Sequence, residues 1–237
     1  MDATGYITLS RQSGLMQEMR LIANNIANTA TTGFRQQGLI FSEFVQGQPD
    51  QPSLSMTRAQ ARNISMEQGI LSQTNGTFDF AIQGNGFFLL ETPDGERLTR
   101  AGNFAPNADG DLVTMSGHRV LDGGGAPIFV PGDVGSISVA SDGTLSSNDQ
   151  LLGQIGLFQP LEPLKLQRED GVMFRSDAGV EPAEEAAVVQ GFLESSNVNP
   201  ILQLARMVEV QRAYETGQSL LDAEDQRIRD AIKTLTR

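Results

Sequence analysis

Apolar residues near the N-terminus fall at Leu15, Met19, Ile22 and Ile26, a spacing of four, three and four that lines one face of a helix from Thr8 to about Ala30. A second row, Leu9, Met16, Ala23 and Ala27, broadens that stripe. Thr31, Thr32 and Gly33 are expected to end the helix, because Gly33 can take the positive φ common just past a C-terminus. At the other end of the chain, Asn199 can cap a helix and Pro200 suits its first turn, where no amide hydrogen is needed. Met207, Val210, Tyr214, Leu221, Ile228, Ala231 and Leu235 then follow a seven-residue repeat, with Gly217 and Glu224 as imperfect positions on the same stripe. At about 1.5 Å per residue that helix is roughly 50 Å long. The only comparably long apolar surface in the chain is the N-terminal stripe, so the two ends are expected to pair.

Between them the period changes. Residues 42–70 are polar, with Pro49 and Pro52, and read as an extended arm. Phe78, Phe80 and Ile82 alternate, Phe87 to Leu90 form a short apolar run, and Pro127 to Pro131, Ile137 to Val139 and Ile155 to Phe158 read as short strands. Asn75-Gly76, Asp94-Gly95, Asp109-Gly110, Asp122-Gly123 and Asp142-Gly143 favour tight reversals between them. Short strands with such turns predict an antiparallel barrel or sandwich rather than βαβ units. The fold class is therefore α+β: an N-terminal segment 1–40, a linker arm 41–70, a β-rich domain 71–196 and a C-terminal helix 197–237.

Charge sharpens this division. The 237 residues carry 17 basic and 29 acidic side chains, a net charge of -12 that argues against nucleic-acid and anionic-membrane partners. Residues 1–40 hold three Arg against Asp2 and Glu18, and 197–237 hold six basic against six acidic groups, so the acidic excess belongs to the middle. A solvated body between two nearly neutral, stripe-bearing ends suits a subunit joined to others through its ends. Cysteine is absent, which excludes disulfides and thiolate metal sites. Arg11, Glu18 and Arg20 interrupt the N-terminal stripe, so no cleaved secretory signal is expected, and no stretch is apolar enough for a membrane span.

Candidate chemistry is thin. His118, the sole histidine, lies in a turn-rich stretch and cannot alone make a zinc site, and no Gly-x-Ser-x-Gly is present to seat a serine nucleophile. Gly84-Asn85-Gly86 lacks the third glycine of a dinucleotide fingerprint, since Leu89 stands there, and reads instead as a hairpin turn. Asn107 to Asp111 resembles a calcium loop, but its glycine comes too early and no glutamate closes it. Neither Lys165 nor Lys233 follows a glycine, so there is no phosphate-binding loop. A carbohydrate hydrolase needs a selected pair of acids and aromatic platforms; Trp is absent, Tyr6 and Tyr214 are the only tyrosines, and Glu184-Glu185 reads as a solvated face. A β-rich hydrolase and a calcium-dependent adhesion module are rival classes that leave both terminal stripes unexplained. No enzyme activity and no cofactor are expected.

Asn24, Asn25 and Asn28 lower helix propensity by competing for backbone hydrogen bonds. They are either the capping of a frayed end or a side-chain amide network that fixes the helix against neighbouring chains.

Ala23-Asn24-Asn25-Ile26-Ala27-Asn28, followed by Thr31-Thr32-Gly33-Phe34-Arg35, resembles the N-terminal signature of the bacterial flagellar rod and hook family. The family's central pattern is similar to Asp79-Phe80-Ala81-Ile82, Gly84-Asn85-Gly86-Phe87-Phe88 and Thr99-Arg100-Ala101-Gly102-Asn103-Phe104, and its C-terminal pattern to Ser196-Asn197-Val198-Asn199 and Met207 to Tyr214. The length and the opening from Met1 to Tyr6 look most like its proximal-rod members. Arg35 departs from the lysine of many relatives, and Gly217 interrupts the C-terminal stripe. The resemblance implies a subunit exported by the flagellar export apparatus without a cleaved signal and assembled with other rod subunits in the periplasm. The terminal helices would pair as a coiled coil in the inner layer of the tube, with the β domain outside it. Leu15, Met19, Ile22, Asn24, Asn25, Ile26, Asn28, Phe34, Met207, Val210, Tyr214, Leu221, Ile228 and Leu235 are the expected subunit-packing residues.

Overall fold

The computed structural model of the chain describes residues 3–48, 51–132, 135–148 and 150–235, and among these the side chains of 8–40, 63–132, 135–148 and 150–234. Two units emerge. One gathers Met1–Ala27, Gln37–Asn63 and Asn199–Arg237; the other holds Asn28–Gln36 and Ile64–Val198.

The first unit contains helix α1 (Ala3–Ala27), strands β1 (Gln37–Gln48) and β2 (Gln51–Ile64), which pair as a two-stranded sheet, and the C-terminal helix Pro200–Leu235. The arm read from the polar run around Pro49 and Pro52 thus consists mainly of paired strands. Helix α1 begins before the expected Thr8 and ends at Ala27, where its stripe ends and short of the expected Ala30. Thr31 N–H then donates to Asn28 O and Phe34 N–H to Thr31 O, two local turns in place of a further helical turn. Gly33 has φ +69, yet it caps nothing: a Cβ on it would lie 2.3 Å from the Ala101 amide nitrogen, so close backbone approach is what demands glycine.

The second unit is built from short antiparallel strands. They are β3 (Leu71–Gln73), β4 (Phe80–Gln83), β5 (Phe87–Thr92), β6 (Gly95–Thr99), β7 (Phe104–Pro106), β8 (Leu112–Thr114), β9 (Arg119–Val120), β10 (Ile137–Val139), β11 (Thr144–Ser147), β12 (Gln150–Gln154) and β13 (Leu157–Pro160). After them come β14 (Gln167–Glu169), β15 (Met173–Arg175), β16 (Val180–Pro182), β17 (Ala187–Gln190) and β18 (Phe192–Glu194), before the C-terminal helix, α2. The largest sheet runs β14-β15-β6-β5-β9-β8-β7, with β13 joining β5 to β16; β10-β11-β12, β17-β4 and β18-β3 are separate sheets. Every registered pair is antiparallel.

Strand β5 explains where the core sits. Its first four residues are all buried, and alternation sends Phe88 and Leu90 into one apolar cluster and Phe87 and Leu89 into another. Phe104 meets Phe88 edge-on at 5.2 Å, and Phe174 meets Phe87 at 5.7 Å. Predicted reversals at Asp94-Gly95 and Asp142-Gly143 join β5 to β6 and β10 to β11. Two expectations fail. Gly84-Asn85-Gly86 is no hairpin: it carries the chain from β4, paired with β17, to β5 in a different sheet. Pro127 to Pro131 keeps the alternation of a strand, with Ile128 and Val130 buried and Phe129 exposed, but makes only isolated bridges. Proline at both ends removes the amide donors that a ladder needs.

Candidate functional site

Within the first unit, α1 and α2 run antiparallel. Asn25 Nδ2 donates to Gln203 Oε1 at 3.2 Å, Glu18 meets Arg206 Nε at 2.7 Å, and Gln12 Nε2 donates to the Tyr214 carbonyl at 3.3 Å, so rising numbers on one helix meet falling numbers on the other. The hydrogen bond and charge of Glu18 raise Arg206 above its ordinary pKa. Ile22 and Val210 form the dry part of the seam at 4% and 2% exposure. Leu15, Met19, Ile26, Met207, Tyr214 and Leu221 are half-buried along it, whereas Ile228 is 44% exposed. The side chain of Leu235 lies outside the described residues.

The asparagines divide. Asn25 is buried, and its amide copies a strand partner: Nδ2 donates to Gln37 O at 2.8 Å and Oδ1 accepts Gln37 N–H at 3.0 Å. It therefore fixes the end of α1 to the start of β1 in its own chain. Asn28 Oδ1 accepts from Thr31 Oγ1 at 3.1 Å, and Asn24 is exposed. At the start of α2, Asn199 Oδ1 accepts the Ile201 and Leu202 amides at 3.1 and 3.2 Å, the cap read from Asn199-Pro200. Gly217, one of the two imperfect stripe positions, faces Gln12: a Cβ there would lie 3.1 Å from Gln12 Nε2. Glycine leaves room for the amide to reach Tyr214.

Phe34 is enclosed by the second unit of its own chain, at 1% exposure, with the Arg168 guanidinium 4.1 Å above its ring. Its segment is stitched in on both sides. Gly33 N–H donates to Glu194 O at 2.8 Å, Asn197 N–H to Phe34 O at 3.2 Å, Gln36 N–H to Asn197 Oδ1 at 2.6 Å and Ser65 N–H to Gln36 O at 2.8 Å. Beneath it lies a buried charge cluster that the sequence reading missed. Glu194, 1% exposed, meets Arg35 Nη2 at 3.2 Å and Arg100 Nη1 at 2.9 Å, and accepts the Gly69 amide at 2.9 Å. Arg100 also donates to the Ile82 and Gly84 carbonyls, and Arg35 to the Glu67 carbonyl.

Two guanidinium groups share one carboxylate, so compensation is partial. Burial pulls Arg100 down to about 10, helped by the like charge of Arg35 and opposed by Glu194; Arg35 is lowered by burial against the pull of Glu194. Burial alone brings Arg168 to about 10. Arg35 and Arg100 both stand in the motifs singled out from sequence, but Glu194 does not. Its one signal was a charged residue closing an otherwise apolar strand, Phe192-Leu193-Glu194.

The calcium-like run from Asn107 and the predicted reversal at Asp122-Gly123 are both turns braced by a side-chain oxygen. Asn107 Oδ1 accepts the Asp109 and Asp111 amides, and Asp122 Oδ1 those of Gly124 and Ala126. Glu184 and Glu185 are exposed. Among the described residues no group of three or more His, Asp or Glu is placed to hold a metal ion, and no helix is long and apolar enough to cross a membrane.

Residues 81–147 match the family described as flagellar hook protein FlgE/F/G D1 domain, and 189–234 that described as flagellar basal body rod FlgEFG protein C-terminal. Along its length the chain is similar to the flagellar basal-body rod protein FlgF of Mesorhizobium japonicum, with 40% identity over 97% of this chain and 96% of the relative. FlgF of Caulobacter vibrioides is 35% identical over 99% and 98%. FlgG of Bacillus subtilis is 28% identical over 96% and 97%.

Proposed function

The chain belongs to the FlgF and FlgG family of flagellar basal-body rod proteins, and from that premise we propose that it is a subunit of the proximal rod. It is a structural component of the flagellar basal body. On this reading the α1–α2 pair is a coiled coil that packs side by side with those of other rod subunits, carrying torque from motor to hook. The subunit reaches the periplasm through the flagellar export apparatus.

One observation carries the reading. The helix pair buries its central residues but leaves large apolar side chains outside: Leu9 at 50%, Ile201 at 76%, Leu204 at 55% and Val208 at 47% exposure. At about 25 cal/mol per Å², a few hundred Å² of such surface covered per neighbour contributes several kcal/mol before ordering costs. Repetition around a tube makes the contacts stiff. A two-helix unit with so small a dry seam is marginal alone, so its helices gain order on assembly.

The test is complementation of a strain lacking the chain. Leu15→Asp, Ile22→Asp and Ile26→Asp should each abolish rod assembly and swimming while the β-rich unit still folds; normal swimming by all three would refute packing through this seam. A distal-rod position is the second reading, since the FlgG relative also spans nearly the whole chain. The higher identity to the FlgF relatives favours the proximal one. The axial height of a tag on this chain in maps of isolated basal bodies separates the two.

A further inference from the structure

Asparagine is followed directly by glycine at Asn75-Gly76 and again at Asn85-Gly86. Glycine has no Cβ to shield its amide, so its nitrogen can reach the side-chain amide carbon of the asparagine before it. The two pairs are held in different ways. Asn75 Oδ1 accepts from Gln73 Nε2 at 2.8 Å, and the Gly76 N–H donates to Thr74 Oγ1 at 3.3 Å. The Thr74 and Asn75 amides both donate to the Gly191 carbonyl, at 2.8 and 3.0 Å, in a turn that places Asn75 at φ +60. Both reacting groups of that pair are engaged, and ring closure between them must break the turn.

Asn85 is exposed, and among the described residues neither its side-chain amide nor the Gly86 N–H has a hydrogen-bond partner. The main chain on either side is fixed instead. Gly84 N–H donates to Gln68 Oε1 at 3.1 Å, Gly84 O accepts from Arg100 Nη2 at 2.7 Å, and Phe87 opens the buried run of β5. Asn85 also faces a cavity of about 410 Å³ that it lines with Gln159, Glu181, Glu184 and Glu185, which leaves the side chain room to turn back onto the main chain.

We propose that Asn85 deamidates of itself in the folded chain, ahead of Asn75. The Gly86 nitrogen attacks Asn85 Cγ and gives up its proton, and the side-chain nitrogen leaves as ammonia. Water then opens the cyclic imide at either carbonyl, to give aspartate or isoaspartate, so the sum is one water consumed and one ammonia released. Aspartate adds a carboxylate to a cavity wall that already carries Glu181, Glu184 and Glu185, whereas isoaspartate adds a methylene to the main chain between β4 and β5. Either product alters the β-rich unit at the connection that crosses from one sheet to another.

The test is peptide mapping of the purified full chain after incubation at mildly alkaline pH, with fragment ions that separate position 75 from position 85. In the folded chain position 85 should convert several-fold faster than position 75; in urea, where neither pair is held, the two should convert at similar rates. Water enriched in heavy oxygen should leave its label at position 85. The double substitution Gln73→Ala, Thr74→Ala removes what holds the Asn75 pair and should speed conversion there several-fold, without change at position 85. Asn85→Gln should remove most of the slow acidic shift of the native chain on ion exchange. Faster or equal conversion of position 75 in the folded chain, an unchanged position 85 under conditions that convert it in urea, an acidic shift that persists in Asn85→Gln, or no acceleration by Gln73→Ala, Thr74→Ala would each overturn the proposal.

Discussion

The two units of this chain treat polar and apolar groups in opposite ways. In the β-rich unit, Phe80, Phe87, Phe88 and Phe174 are sealed at 0% exposure, and even a carboxylate and two guanidinium groups are shut inside. In the helical unit, the dry seam centres on Ile22 and Val210, buried amides sit near both ends of the overlap, and Ile201, Leu204 and Ile228 face outward. A unit that hides its charges closes a core of its own, although single apolar side chains such as Ile70, Met115 and Leu164 stay exposed on it. One that exposes leucine and isoleucine along a stripe carries part of its interface for something else.

Breaking the charge cluster should give one of the two largest effects. Glu194→Ala leaves Arg35 and Arg100 buried without their counter-ion, a loss on the order of 3–5 kcal/mol in urea unfolding of the β-rich unit. Replacing all three by apolar residues of similar volume should recover most of it, because each buried charge removed also removes its desolvation cost. Neutralising Arg206 in the helical unit should cost about 0–1 kcal/mol, since its pair with Glu18 is half in water. Equal losses at Glu194 and Arg206 would erase the distinction between the units.

Apolar truncation sharpens the same contrast. Phe88→Ala empties a closed site between Phe104 and its cluster and should destabilise by about 3–5 kcal/mol. Ile228→Ala removes a side chain already 44% exposed and should change monomer stability by roughly 0.5 kcal/mol or less. Thermal melts of the two variants against the parent chain are sufficient. Next comes Asn25→Ala, which strips both partners from the Gln37 backbone and should cost about 1–3 kcal/mol. Faster hydrogen exchange at the Gln37 amide would report it directly.

What was readable in the sequence follows the same divide. Helical stripes, the Asn199-Pro200 start and the Asp-Gly reversals are local patterns, and each fixes its own element within a few residues. The meeting of Arg35, Arg100 and Glu194 is not local: positions 35, 100 and 194 come together only after β18 pairs with β3 and the segment after α1 threads beside them. Period alone could not reveal that Gly84-Asn85-Gly86 joins two sheets, because a turn within a hairpin and a crossing between sheets use the same residues. Gly33 was found for its positive φ, while the reason for glycine, the Ala101 backbone 2.3 Å from where a Cβ would be, belongs to packing.

Gly217 gives the smallest and most discriminating effect. In the middle of a helix, glycine costs about 1 kcal/mol relative to alanine, so on propensity alone Gly217→Ala should stabilise α2. Here the new methyl would crowd Gln12 Nε2 at 3.1 Å and disturb its bond to the Tyr214 carbonyl, a term of similar size and opposite sign. The single substitution should therefore change stability by less than about 0.5 kcal/mol. In a Gln12→Ala background the crowding disappears, and Gly217→Ala should then stabilise by close to the full ~1 kcal/mol. A double-mutant cycle followed by helix melting reads the difference. Additive values would mean that Gln12 does not sit across Gly217 in solution, and the match of α1 to α2 would lose its contact at that end.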